Sequence, residues 1–220
     1  MPKFKPNVLK RTQKLDLISE KNGFRQAVYE WNGIYKGQWE KNMKSGRGIM
    51  FYNKNNIIYN GEWKEDMRHG FGKLIRQHYD HGELICEGHW IKNKFVKGIC
   101  YGRNGVYDGE YLPGTRIKHG FGTMRWNNNS AYTGFWINNK YHGKGTFVEE
   151  NGCYWDGQWK CGLKNGEGTF VNKLIGQKVN GVWLNGSLVS ISSDSELSFQ
   201  RRGLQRVRNA NIKRRNLYIL

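Results

Sequence analysis

Aromatic residues and glycines recur at fixed spacings, with polar residues between them, over most of the chain. Tyr35, Gly37 and Trp39 are followed by Gly46 and Gly48. Counted from the first aromatic residue, these are repeat positions 0, +2, +4, +11 and +13. Three more segments reproduce all five: Tyr59, Gly61, Trp63, Gly70 and Gly72; Tyr132, Gly134, Trp136, Gly143 and Gly145; and Trp155, Gly157, Trp159, Gly166 and Gly168. Such repetition at a nearly constant interval is typical of a repeat architecture.

Three further copies depart from this pattern by an insertion, by the loss of a glycine and by truncation. In the first, the glycine pair comes two residues late, and Pro113-Gly114 is the predicted insertion. In the second, a cysteine stands at position 0 and one glycine of the later pair remains. The third stops near Gly186. Their residues are Tyr107, Gly109, Tyr111, Gly120 and Gly122; Cys86, Gly88, Trp90 and Gly98; and Val179, Gly181 and Trp183.

Each copy is predicted to be a β-hairpin of about 23 residues. Side chains alternate along a strand, so positions 0, +2 and +4 share one face, with glycine between two rings. The same alternation predicts that the glycines at +11 and +13 share one face of the second strand and make room for rings. A Gly143→Val substitution is therefore expected to collide with a ring. Polar residues between the two strands suit a turn.

A single hairpin is marginally stable, so successive hairpins are expected to stack edge to edge and bury a continuous row of rings. The predicted core residues are Tyr35, Trp39, Tyr59, Trp63, Trp90, Tyr107, Tyr111, Tyr132, Trp136, Trp155, Trp159 and Trp183. The predicted repeat glycines are Gly37, Gly46, Gly48, Gly61, Gly70, Gly72, Gly109, Gly120, Gly122, Gly134, Gly143, Gly145, Gly157, Gly166 and Gly168.

The motif Tyr-x-Gly-x-Trp followed by spaced glycines resembles the MORN repeat, and the resemblance covers roughly residues 35–185. It implies an all-β fold, an elongated and twisted antiparallel sheet of successive hairpins. It also implies a scaffold or attachment function at membranes or in the cytoskeleton.

The chain divides into four predicted segments. Residues 1–21 form a basic N-terminal arm, and residues 22–34 form a half-repeat that caps the first open edge of the sheet. Residues 35–186 form the array of about six repeats plus a truncated seventh. Residues 187–220 form a serine-rich linker and a basic C-terminal arm. The cations of that arm, predicted to bind a partner, are Arg201, Arg202, Arg206, Arg208, Lys213, Arg214 and Arg215.

The net charge of +18 is distributed as +4 in residues 1–34, +9 in residues 35–185 and +5 in residues 186–220. The excess is therefore densest at the two ends. Such a field favours an acidic partner, which is a tubulin-like protein surface, anionic lipid or nucleic acid. Nucleic acid is the least favoured, because the rings that would stack on bases are already assigned to the repeat core.

The sequence offers no constellation for catalysis, and no metal or cofactor is expected. His78, His81, Cys86 and His89 lie close together, but their spacing fits no common zinc site. The glycine-rich segments 70–73 and 143–146 do not complete a phosphate-binding motif. The four cysteines form no CxxC pair, and no secretory leader or membrane span is recognised in the sequence. Free thiols in a reducing cytoplasmic compartment are therefore expected.

The repeat array and the lead-in at residues 22–29 resemble those of the small repeat-only MORN proteins of cilia and flagella. This resemblance implies a non-enzymatic scaffold of the axoneme, part of a larger complex, that binds tubulin or radial-spoke components through the sheet and the arms. The alternative is a peripheral membrane protein that binds anionic phospholipid, which the positive charge also suits.

Overall fold

The computed structural model describes residues 20–192 except Trp31, and all the regular structure in that range is β-strand. The strands are β1 Gly23–Glu30, β2 Gly33–Glu40, β3 Met43–Tyr52, β4 Ile57–Lys64, β5 Met67–Gln77, β6 Gly82–Ile91, β7 Lys94–Gly102, β8 Gly105–Tyr111, β9 Lys118–Trp126, β10 Ala131–Ile137, β11 Lys140–Val148, β12 Tyr154–Lys160, β13 Leu163–Asn172, β14 Gln177–Leu184 and β15 Ser187–Ile191.

The fifteen strands form one open antiparallel sheet in which every strand pairs with its neighbours in sequence. At about 4.8 Å per strand, the sheet extends for about 70 Å across its strands. The predicted all-β sheet of successive hairpins is therefore confirmed.

The hairpins of the exact copies close with two-residue turns whose residues both have positive φ. In the first copy these are Lys41 and Asn42, with φ of 47° and 65°. Two left-handed residues twist in the same sense as the strands and suit a two-residue hairpin. The turn between β8 and β9 is longer and spans residues 112–117, so the insertion lies at Pro113-Gly114, where the sequence predicted it.

Hydrogen bonds from the two-residue turns, including the turn of the degenerate third copy, join one hairpin to the hairpin before it. The Asn93 side-chain oxygen accepts from the Arg68 amide at 2.9 Å, and the Asn93 amide donates to the Arg68 carbonyl at 3.0 Å. Asn139 makes the same two bonds to Lys118, at 2.8 and 3.1 Å. The turn asparagine therefore fixes the position of one repeat against the next, a role that the sequence analysis did not assign to it.

The rings lie over the glycines at +2 and +13, which face each other across each hairpin. Gly37 pairs with Gly48, for example, and Gly134 pairs with Gly145. A Cβ added to Gly145 would lie 2.6 Å from Cζ of Tyr132. The absence of side chains at these two positions therefore gives each ring its place.

The prediction that the +11 glycine also makes room for a ring is wrong. The hairpin ladder is irregular between +2 and +4, and the +11 glycine there has a positive φ, which is 65° at Gly46 and 58° at Gly143. A Cβ added at Gly46 would meet the Gln38 side chain, and one at Gly143 would lie 3.7 Å from Cβ of Phe135, which is half-exposed. This glycine is therefore required by the backbone conformation, and at Gly46 also by the Gln38 side chain.

The array extends beyond its predicted end. Gly186 belongs to a turn, and Ser187–Ile191 form β15, which pairs with β14. Leu188 lies opposite Trp183 and packs against the core, so burial continues past the predicted boundary at residue 186. At the other end, β1 pairs with β2 as an edge strand, where the half-repeat cap was expected.

Candidate binding surfaces of the sheet

The face of the sheet that carries positions 0, +2 and +4 is here called the ring face. All twelve predicted core residues are on it, and none is more than 7% exposed. Tyr35 contacts Trp39 of its own repeat and Trp63 of the next, with ring centroids 5.1 and 5.3 Å apart and planes nearly perpendicular. Edge-to-face contacts of this kind are favourable between aromatic rings. The rings therefore bury one another within a single sheet.

The polar atoms of these rings also have repeated partners. The Trp63 indole donates to the Gly48 carbonyl of the preceding repeat at 3.2 Å, and Trp159 donates to Gly145 at 2.8 Å. The Tyr132 hydroxyl donates to the carbonyl at position +3 of its own repeat, that of Phe135, at 3.0 Å. Burial raises the pKa of Tyr132 above its ordinary value, so the hydroxyl keeps the proton that it donates.

The indole nitrogens of Trp39 and Trp155 are buried and find no acceptor among the described residues. Trp39 belongs to the first repeat, which follows the half-repeat and not a full hairpin. Trp155 stands at position 0, where the hydroxyl of a tyrosine reaches the +3 carbonyl in four other copies.

Basic side chains cover the rings, a feature that the sequence analysis missed. They lie directly across the hairpin from position +4, and they are Lys44, Arg68, Lys118 and Lys164. The Arg68 guanidinium lies 4.4 Å from the centre of the Trp90 ring, and the Lys118 ammonium lies 5.4 Å from that of Trp136. Cations over aromatic faces are attracted by the ring electrons. The available signal was a lysine or arginine two residues before the first glycine of the later pair in these four copies.

Burial lowers the pKa of Lys118 and of Lys164 below the ordinary value, which reflects how far these cations enter the ring face. Lys44 is only 9% exposed and lies 3.7 Å from a carboxylate oxygen of Asp66. The cations of this row therefore serve the packing of the ring face.

The opposite face, which carries positions +1 and +3, exposes aromatic residues of its own. Phe24, Phe71, Phe121 and Phe135 are 60%, 44%, 49% and 50% exposed, and we call them the phenylalanine strip. Phe121 and Phe135 are cross-strand neighbours with ring centroids 5.5 Å apart, and Phe71 lies edge-on to His89 at 5.8 Å. The sequence had predicted aromatic residues only in the core. Phe135 at +3, and Phe71 and Phe121 at the place of +12, alternate with the ring and glycine positions of their strands, which indicated the opposite face.

Exposed basic residues lie in the same cross-strand row as the phenylalanine strip. Lys97 pairs with His89 on one side and Glu110 on the other, and Lys144 pairs with Gln158. Arg47 occupies the equivalent place in the first repeat and is also exposed. Acidic residues alternate with these cations in the row, and the Lys97 ammonium lies 3.9 Å from a carboxylate oxygen of Glu110. Exposed rings between charged side chains of both signs make a surface suited to a partner with apolar and charged groups.

The histidines considered for zinc do not come together with the cysteine. Cys86 is buried on the ring face and His89 is exposed on the opposite face. His78 stacks on His81 in the exposed connection between β5 and β6, and its Nε2 lies 3.3 Å from Glu83. No group of three or more potential metal ligands occurs within the described range. Between residues 20 and 192, leaving out Trp31, no helix has the length and apolar character to span a membrane.

The predicted partner-binding cations at positions 201–215 and residues 1–19 of the N-terminal arm lie outside the described residues. Of the predicted interface, which comprised the sheet and the two basic arms, the described residues therefore include the sheet.

A protein-family model described as MORN repeat matches six segments of the chain, which are residues 35–57, 59–77, 86–107, 117–131, 132–154 and 155–172. Together they make up more than half of the 220 residues. The match at 86–107 includes the degenerate copy that begins at Cys86. No curated protein matches the chain.

Proposed function

The chain belongs to the MORN-repeat family, and from this premise we propose that it is a non-enzymatic structural scaffold of the ciliary axoneme, which binds microtubule-associated or radial-spoke components. Repeats of this family generally serve as scaffolds for protein and membrane interactions. The axonemal location and the class of partner are the specific parts of the proposal.

The observation that carries the proposal is the phenylalanine strip with the basic residues beside it. Most of the aromatic residues that the structure describes are packed into the ring face, yet Phe71, Phe121 and Phe135 expose close to half of their surface. Exposed rings arranged along one face are typical of protein-binding surfaces. The net charge of +18 favours an acidic partner for this surface, and tubulin-like surfaces are acidic.

The distribution of charge supports a second contact through the ends of the chain. Removal of residues 199–220 deletes seven basic residues and no acid, so the net charge falls from +18 to +11. The repeat positions are untouched, and the sheet is expected to stay folded. Attraction through exposed charges is screened over about 8 Å at physiological ionic strength, so this contribution should weaken as salt is added.

The proposal is tested by co-sedimentation of the purified full chain with microtubules and with isolated axonemes over a series of salt concentrations. Three variants separate the contributions: Phe121→Ser with Phe135→Ser, the truncation of residues 199–220, and Leu174→Ser as a control. Leu174 is 69% exposed in the turn between β13 and β14, away from the strip. We expect the double variant to weaken binding at every salt concentration, the truncation to weaken it mainly at low salt, and the control to bind normally.

If the double variant and the truncated chain both bind as tightly as the wild type, the proposed interface is wrong. Absence of a tagged full chain from the axoneme of ciliated cells would contradict the proposed location. Sedimentation with vesicles containing anionic phospholipid, but not with neutral vesicles or microtubules, would favour membrane attachment as the function.

A further inference from the structure

Two departures from the repeat pattern meet at one place in the sheet. The degenerate third copy has Cys86 at position 0, where a large aromatic residue covers the paired glycines in five of the copies. The fourth copy has the longer turn, which brings Arg116 close to the third copy. The row of rings lacks its position-0 ring here, and Phe95 bridges Trp90 and Tyr111 instead, at 5.1 and 5.3 Å.

Cys86 and Cys100 are direct cross-strand partners in the ladder between β6 and β7. Both thiols are free, Cys86 is buried and Cys100 is half-buried. Directly opposed residues of antiparallel strands have Cα atoms about 4.5–5.5 Å apart, which lies within the range that a disulfide spans. The other cysteines, Cys153 and Cys161, lie in the connection before β12 and in the turn after it, so Cys86 and Cys100 are the pair that the fold places together.

We propose that Cys86 and Cys100 form a redox-active dithiol, which a peroxide oxidises to a disulfide that joins β6 to β7.

The surroundings assign different roles to the two thiols. The Cys86 thiol is the cross-strand partner of Cys100, the Tyr111 hydroxyl lies beside it, and Arg116 and Lys118 add positive charge. Together these groups outweigh burial and hold the pKa of Cys100 below its ordinary value. The neighbouring Cys100 and burial raise the pKa of Cys86. Cys100 is therefore the attacking thiolate and Cys86 the resolving thiol.

The charged and titratable groups around the pair come from every neighbouring element. They are Arg68 on β5, Tyr107 and Tyr111 on β8, Arg116 in the longer turn and Lys118 on β9. The three cations favour the thiolate. Burial raises the pKa of Tyr107 and of Tyr111, so both tyrosines stay neutral when Cys100 ionises.

The reaction proceeds in two balanced steps. The Cys100 thiolate attacks one oxygen of hydrogen peroxide, the O–O bond breaks, and the departing hydroxide takes up a proton to form water, which leaves a sulfenic acid on Cys100. The Cys86 sulfur then attacks the Cys100 sulfur as its proton leaves, and the S–O bond breaks to release a second water. The two thiols lose two electrons in total, and the peroxide gains them.

The experiment exposes the full chain to hydrogen peroxide, blocks the remaining thiols with N-ethylmaleimide in denaturant, and identifies tryptic peptides by mass spectrometry. Lys92, Lys94 and Lys97 separate the two cysteines, so trypsin reveals the disulfide as a pair of linked peptides. We expect the Cys86–Cys100 linkage, its reversal by dithiothreitol, and a rate that rises from pH 6 to pH 8 by less than the about eightyfold expected for an unperturbed thiol. Oxidation should also raise the Tm by on the order of 5 °C, because the disulfide closes the loop between Cys86 and Cys100 and so restricts the unfolded chain.

Two variants provide the controls. Cys86→Ala should abolish the linkage and let a sulfenic acid accumulate on Cys100, which dimedone traps. Cys153→Ala removes a buried cysteine elsewhere and should leave the linkage and its rate unchanged. The wild-type measurement decides the matter even if Cys86→Ala fails to fold. Full oxidation of the exposed Cys161 shows that the peroxide has acted. If Cys86 and Cys100 then both still carry the maleimide, or if they link to other cysteines, the proposal is wrong.

Discussion

Substitution of Gly145 by alanine should be among the most damaging single-methyl changes in the sheet. The added Cβ would lie 2.6 and 2.8 Å from Cζ and Cε2 of Tyr132, and closer still to the hydroxyl. The Tyr132 ring has no exposed surface, and it is held by Trp136, Tyr141 and Trp159, with centroids 5.0, 3.9 and 5.5 Å away. Because the ring has nowhere to move, the methyl group must shift either the ring or the backbone.

The magnitude follows from two contributions. Overpacking of a well-packed core costs about 1–3 kcal/mol. Displacement of the ring also breaks the hydroxyl's bond to the Phe135 carbonyl, which contributes about 1 kcal/mol. We therefore expect Gly145→Ala to lower the free energy of unfolding by about 3 kcal/mol.

Gly143→Ala provides the matched comparison in the same strand. Its Cβ would meet Phe135 at an ordinary contact distance of 3.7 Å, so its cost comes only from the positive φ of 58°. That conformation costs an alanine about 1–2 kcal/mol. Asparagine tolerates it better, so Gly143→Asn should be milder than Gly143→Ala, whereas Gly145→Asn should be at least as harmful as Gly145→Ala.

Urea unfolding measures these changes, and native-state hydrogen exchange of the β10 and β11 amides locates them, since repeat proteins need not unfold as one unit. In a Tyr132→Leu background, the cost of Gly145→Ala should fall by about 2 kcal/mol, because the obstructing ring is gone. Equal costs at Gly143 and Gly145, with no effect of Tyr132→Leu, would show that the ring does not require the bare glycine.

Three further outcomes follow from the same geometry. Trp155→Tyr should stabilise the protein by about 1 kcal/mol in urea unfolding, because the new hydroxyl can donate to the Gln158 carbonyl as tyrosines at position 0 do in other copies. Destabilisation would contradict that pairing. Asn139→Gly keeps a turn-compatible backbone but loses the 2.8 Å bond from the Lys118 amide, so it should cost about 1 kcal/mol, and amide exchange should accelerate at the junction between these repeats. Phe95→Ala should cost about 3 kcal/mol and open the third and fourth repeats first in hydrogen exchange, whereas uniform destabilisation would argue against its bridging role.

Much of the fold could be predicted from the sequence because its signals are local. The spacing of Tyr35, Gly37 and Trp39 predicts one face of a strand without reference to any other part of the chain. Turn residues such as Asn42 mark the hairpins in the same way. Short connections then leave each hairpin next to its predecessor, so the strand order follows from the order of the copies.

The different roles of the glycines at positions +11 and +13 could not be predicted in this way. Strict alternation predicts that Gly143 and Gly145 share a role, but the hairpin ladder is irregular between them, and Gly143 adopts a positive φ. That irregularity depends on how two strands pair, and a single strand's pattern carries no record of it. The end of the array was missed for a related reason, since Leu188 joins the core only because Trp183 lies opposite it.

The sequence by itself determined the repeat, its hairpins and the residues of its core, since each depends on positions a few residues apart. Only the tertiary structure decided which side chains from different strands lie together: cations over the rings of the next repeat, Phe121 beside Phe135 on the opposite face, and Cys86 across from Cys100. These neighbours are set by the register between strands. Register depends on the turns and irregularities of the whole sheet, because a shift by one residue moves every side chain to the other face.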